Sequence, residues 1–215
     1  MEYKHVTLVC GHYGSGKTNI AVNMAFDLKK QYPDTAIADL DIVNPYFRTT
    51  DSRKELTEAG IRVIASEYAG TNLDAPALPA EIYAITENAD MKTIVDVGGD
   101  DRGALALGRI APAILESGEY DMLLVINKYR PLTPDAESTV EVMHEIEAAC
   151  RLPFTGIVNN SNLGELTTAD TVLESAKYAE EVSRLSGLPI VLTTARADIA
   201  DELGAFPLTL QKKII

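Results

Sequence analysis

A chain of 215 residues, 46% hydrophobic and 24% charged, has the size and composition of one ordinary globular domain, and we read 1–215 as a single unit. A net charge of −13 works against binding nucleic acid or anionic lipid by general electrostatics, and no apolar run approaches the ~18 residues of a membrane-crossing helix. The two cysteines, Cys10 and Cys150, are far apart in sequence, which argues against a disulfide framework, a zinc site or an iron–sulfur cluster bound by this chain alone.

The first predicted strand, 5–10, starts within a few residues of Met1. It leaves no room for a leader ahead of it, so a reducing cytoplasm is the expected compartment. Directly after it comes Gly11-His12-Tyr13-Gly14-Ser15-Gly16-Lys17-Thr18, which reads G-x-x-x-x-G-K-T. A helix is predicted over 16–30, with Ile20, Met24 and Leu28 on one face and Ala21 and Ala25 beside them. Strand, glycine loop and helix in that order form a phosphate-binding loop (P-loop). The glycines let the backbone wrap closely around phosphate oxygens, and the positive end of the helix points at the anion. We therefore expect Gly11, Tyr13, Gly14, Ser15, Gly16, Lys17, Thr18 and Asn19 to surround a nucleoside triphosphate. Lys17 is expected on the β/γ-phosphates as a catalytic cation, and the Thr18 hydroxyl on Mg²⁺.

A second strand, 35–41, ends in Asp39-Leu40-Asp41. Strand alternation puts both carboxylates on one side, where one can hold a metal-bound water or orient the water that attacks the γ-phosphate. A helix over 50–59, a strand over 61–66 and an irregular stretch over 69–79 follow, the last a candidate functional loop. Strand 92–97 leads into Asp96-Val97-Gly98-Gly99-Asp100-Asp101. A carboxylate closing an apolar strand matches the acidic partner of Mg²⁺ in P-loop enzymes, which assigns Asp96 to the metal.

After a helix over 102–116, strand 122–127 runs into Asn127-Lys128-Tyr129-Arg130, the start of a guanine-reading N-K-x-D with Arg130 where the aspartate belongs. A helix over 134–150 and a strand over 155–159 lead to Asn159-Asn160. Asn159 is the better base reader, because an amide can pair with adenine's N6 and N7 edge. Helix 168–186, strand 190–194 and helix 196–203 complete the pattern, and His5, His12 and His144 form no ligand spacing. Lys212-Lys213 beside Ile214-Ile215 reads as a frayed terminus rather than a tether, so no stable membrane association is expected.

Several strands, such as 123–126 and 190–192, are continuously apolar rather than alternating. Burial on both faces of a parallel sheet explains that. The fold class expected is α/β, a three-layer α/β/α P-loop domain with a mainly parallel sheet and ligands beyond the carboxyl ends of its strands.

The P-loop, the D-x-D strand end and the D-V-G-G strand end come in the order seen in MinD/ParA-type ATPases, and the chain resembles that CobQ/CobB/MinD/ParA group over nearly its whole length. The resemblance implies a hydrolytic and metal-associated role for Asp41, a metal role for Asp96, an adenine contact by Asn159 and an adenine pocket closed by 194–198. It implies ATP and Mg²⁺ as cofactors, a regulatory or partner-loading ATPase, and an unidentified protein partner. At one position the chain departs from the group: the signature lysine of K-G-G-x-G-K-T is replaced by His12, so the lysine-dependent homodimer does not carry over directly. A small-molecule kinase or ATP-dependent ligase of the same fold is the alternative, with an acceptor at 69–79 or 44–48. A GTP-driven metallochaperone is disfavoured by the lack of a His/Cys cluster.

Overall fold

The computed structural model describes residues 1–40, 52–65, 80–98 and 107–210. Asp41, 44–48, 69–79, Asp100, Asp101 and Lys212-Lys213 lie outside the described residues. In chain order the elements are β1 (Val6–Cys10), α1 (Lys17–Gln31), β2 (Thr35–Leu40), α2 (Arg53–Glu58) and β3 (Arg62–Ala65). A 3-10 turn at Ala80–Tyr83 runs into α3 (Ala84–Glu87), followed by β4 (Lys92–Val97), α4 (Ala111–Ser117), β5 (Tyr120–Ile126) and α5 (Ala136–Cys150). Then come β6 (Gly156–Asn159), a 3-10 turn at Gly164–Leu166, α6 (Ala169–Glu174), α7 (Ala176–Ser186), β7 (Ile190–Arg196), α8 (Ala197–Leu203) and β8 (Phe206–Leu208).

All eight strands join one parallel sheet in the order β3-β2-β4-β1-β5-β6-β7-β8. Its layers follow from strand alternation. Val6, Leu8 and Cys10 of β1 pack with Ile85, Ile114, Met143 and Val182 of α3, α4, α5 and α7 on one face. Val9 faces the other way, against Ile20, Met24 and Leu28 of α1 and Leu56 of α2. The expected three-layer α/β/α sandwich is the fold observed, and β1 lies inside it with neighbours on both sides. Among the described residues no helix is long and apolar enough to cross a membrane.

Local chemistry sets the element ends. Asp135 caps α5 by accepting the Ser138 amide at 2.8 Å, and hydrogen bonds from the Ser138 hydroxyl and amide hold its carboxyl below the usual range. The helix expected over 168–186 is two helices that meet at Ser175. Ser175 Oγ donates to the Val172 carbonyl at 2.6 Å and receives Asn159 Nδ2 at 2.9 Å, so a buried polar contact marks the break. β8 was not expected, because three residues containing Pro207 carry almost no periodic signal. Proline has no amide for a ladder and is tolerated at a sheet edge, where β8 lies.

Leu8 sits fully buried in a central strand. Leu8→Ala is therefore expected to destabilise the domain by about 2–5 kcal/mol, read as a lower urea midpoint with unchanged slope.

Candidate functional site

The loop between β1 and α1 is shaped by what cannot fit beside it. Gly11 has φ 147°, and a Cβ there would stand 2.5 Å from the Val125 carbonyl oxygen of β5. Gly16 has φ 96°, and its Cβ would stand within hard contact of Asn160 Nδ2. Both positions need a residue without a side chain. The loop closes on itself through the His12 carbonyl, which accepts the Ser15 amide at 3.2 Å and Lys17 Nζ at 3.2 Å. His12 Nδ1 lies 3.0 Å from the Tyr13 carbonyl oxygen.

A read of sequence alone places Lys17 as an exposed cation. In the structure Lys17 and Thr18 are buried at the first turn of α1, each 6% exposed. Gly16 caps that 15-residue helix with no side-chain hydrogen bond, and its first turn holds no acidic residue. The positive helix end therefore stays uncompensated by its own sequence, which favours an anion there. Tyr13 stands out at the loop tip, 58% exposed, and the Asn19 carbonyl accepts Asn23 Nδ2 at 2.7 Å.

Sheet register brings the carboxylates to this loop. Asp96 of β4 pairs with Val9 of β1 on one side and Asp39 of β2 on the other. Alternation turns both carboxylates toward the α1 face, the side of Ile94 and Ile37. Both are buried. Like charges at adjacent register positions repel, and a cation beside them lowers that cost. Thr18 hydroxyl and Asp39 and Asp96 carboxylates are hard oxygen donors, the chemistry Mg²⁺ takes. Among the described residues no three of His, Cys, Asp and Glu gather into a metal cage. Mg²⁺ shared between one or two carboxylates and phosphate oxygens does not need one. The thiols are not ligand-ready: burial pushes both Cys10 and Cys150 upward, Cys10 strongly.

On the other flank, Asn159 faces away from the P-loop. Its parity sends the side chain to the face away from α1, with Ile157. There its amide donates to Ser175 Oγ at 2.9 Å and accepts the Ser161 amide and hydroxyl at 3.2 and 2.8 Å. At 2% exposure it holds the loop after β6. Asn160, one residue on, faces the P-loop instead. Its Nδ2 donates to the Ser15 carbonyl at 2.6 Å, and its Oδ1 accepts the Thr194 hydroxyl at 2.6 Å. Sequence reasoning gave Asn160 no such role, and its signal was the amide pair at a strand end.

Asn127 joins the two loops, its Oδ1 accepting the amides of Tyr129 at 3.0 Å and Asn162 at 3.3 Å. The Lys128 amide donates to Ser161 Oγ at 3.0 Å and its Nζ to the Glu174 carbonyl at 3.3 Å. Farther out, Arg196 Nη1 donates to the Glu165 carbonyl at 2.7 Å and Nη2 to Asp198 at 2.8 Å, pinning the 194–198 segment to the 164–166 turn.

Comparisons with known proteins agree with this arrangement at the level of fold. No family model matches the chain, and no curated protein matches it in sequence. Solved structures do. The 54 kDa protein of the signal recognition particle from Aeropyrum pernix, in complex with GDP, aligns with TM-score 0.58 at 19% identity over 89% of this chain and 41% of its own. FtsY from Thermotoga maritima aligns with TM-score 0.57 at 16% identity, over 91% of this chain and 63% of its own. FtsY from Mycoplasma mycoides gives 0.55 at 16%, over 89% and 60%. The chain thus spans less than two thirds of each of these proteins. These are a signal recognition particle protein and FtsY, not MinD/ParA-type ATPases. Fold and loop together are those of a three-layer α/β/α domain with P-loop architecture.

Asn160→Ala should leave the Ser15 carbonyl and Thr194 hydroxyl without their buried partner, lowering stability by about 1–3 kcal/mol and weakening nucleotide binding as the loop loosens. Thermal unfolding and calorimetric titration read the two effects. An unchanged affinity would show that the loop keeps its shape without this anchor.

Proposed function

We propose that the chain is a Mg²⁺-dependent ATP-binding and hydrolysing protein of the MinD/ParA type, a regulatory or partner-loading ATPase acting on an unidentified protein partner in the cytoplasm. The observation that carries this reading is the closed loop 11–18. Lys17 is buried against the His12 carbonyl at the uncompensated N-terminus of α1, one strand away from Asp96. Backbone amides, helix end and Lys17 would bind the phosphates.

The oxygen donors of Thr18, Asp96 and Asp41 would hold Mg²⁺, which neutralises charge on the β- and γ-phosphates when bound. Asp41, two residues after Asp39 in the sequence, is the group proposed to orient the attacking water. Its replacement by Asn is expected to keep Mg-ATP bound while slowing turnover by about 10²-fold or more. Turnover at the wild-type level moves the role to Asp100 or Asp101.

Adenine is the proposed base. Guanine's N1 and N2 donors call for a carboxylate, and Arg130 stands where that group would be. The GDP-bound likeness makes this the point most open to experiment. With the Asn159 amide engaged inside the protein, its proposed adenine contact gives way to selection against guanine.

Calorimetry tests the reading. Lys17→Ala should weaken ATP binding by about 10- to 150-fold, the range of a charge-assisted hydrogen bond. GTP should compete about 10-fold or more less well than ATP for a fluorescent analogue. Unchanged ATP affinity in Lys17→Ala removes the phosphate assignment. Equal or tighter GTP binding gives the base to Asn127 and Lys128. Phosphate transfer to a metabolite, with little turnover in its absence, would favour a kinase.

A further inference from the structure

The residue that spoils the guanine motif has a place of its own. Arg130 lies in the turn after β5, its amide donating to the Asn127 carbonyl at 3.2 Å and its carbonyl accepting the Thr133 amide at 3.2 Å. From that fixed backbone the side chain crosses to the P-loop. Arg130 Cδ and Nε both lie 3.9 Å from where a Cβ on Gly14 would stand. Gly14, at φ 77° and exposed, turns this side of the loop outward to the arginine.

Arg130 Nε is buried, yet it makes no hydrogen bond. A desolvated guanidinium N–H without an acceptor is costly, and buried donors are nearly always satisfied. The planar fork of a guanidinium matches an anion that offers it two oxygens at once, as a tetrahedral phosphate group does. Lys17 approaches the loop from the start of α1, whereas Arg130 approaches from β5. Two cations therefore bracket the same loop from different elements.

We infer that Arg130 is a nucleotide-contacting residue whose guanidinium binds the polyphosphate of the ligand from the Gly14 side of the loop. This rests on the phosphate-binding reading of loop 11–18 and adds a second charge to it. It also assigns a use to the departure at position 130: the side chain that ends guanine recognition supplies phosphate recognition instead. The charge of the residue, rather than its bulk, is what the contact requires.

The test is a competition series of ATP, ADP and AMP, with Mg²⁺, against a fluorescent ATP analogue, on wild type, Arg130→Gln and Arg130→Lys. Thermal unfolding checks that each variant folds. Arg130→Gln should lose about 10-fold or more in affinity for ATP and ADP, with a smaller loss for AMP, and its ATP affinity should depend less steeply on salt. Arg130→Lys should recover part of the loss, because the charge remains. Wild-type ATP affinity in a folded Arg130→Gln overturns the assignment. So does an equal loss for ATP, ADP and AMP, which would put the guanidinium on the α-phosphate, ribose or base rather than on the β- and γ-phosphates. A wild-type protein that binds none of the three overturns the reading of the loop itself, an outcome distinct from either.

Discussion

Holding a polyanion with backbone amides demands a loop that keeps several amides free to point inward while its carbonyls are occupied by other donors. A free chain does not adopt that shape, since its carbonyls would compete for the same space and its side chains would block the approach. Here the carbonyls of His12 and Ser15 are occupied. His12 accepts the Ser15 amide and Lys17 Nζ, and Ser15 accepts Asn160 Nδ2. Glycines stand where β5 and Asn160 press against the loop. Preorganisation of this kind means that little rearrangement remains when the ligand arrives.

The sheet order supplies everything else. Because β1 lies between β4 and β5, the loop that leaves it is flanked by the acidic end of β4 on one side and the Asn127–Arg130 turn on the other. β6 and β7 lie beyond β5, and their ends deliver Asn160 and Thr194 as a relay to Ser15. The site is thus assembled from five strand ends, four of them on strands buried on both faces (β1, β4, β5 and β6), while β7 is exposed at its start. That is the usual place for a ligand in a doubly covered parallel sheet.

Much of this was open to reading in the sequence. The long apolar strands and the glycine loop stood out because periodicity and glycine spacing are local signals, and seven strands and the three-layer arrangement follow from them. What local signals left undetermined lies at single-residue scale. Whether Asn159 or Asn160 faces the P-loop depends on strand parity at a loop junction, where one residue of register reverses every side chain. The burial of Lys17, the break at Ser175 and the packing of Arg130 on Gly14 arise from contacts between residues distant in sequence. β8 is too short, and Pro207 too contrary to strand chemistry, to announce itself.

The account turns on loop 11–18 being the ligand's seat, and backbone amide resonances report that seat directly. In an NMR titration with Mg-ATP, the amides of Gly14, Ser15, Gly16, Lys17 and Thr18 should shift most, with Gly16 and Lys17 moving downfield as they engage phosphate oxygens. Shifts confined to another part of the chain, or none at saturating nucleotide, would contradict it.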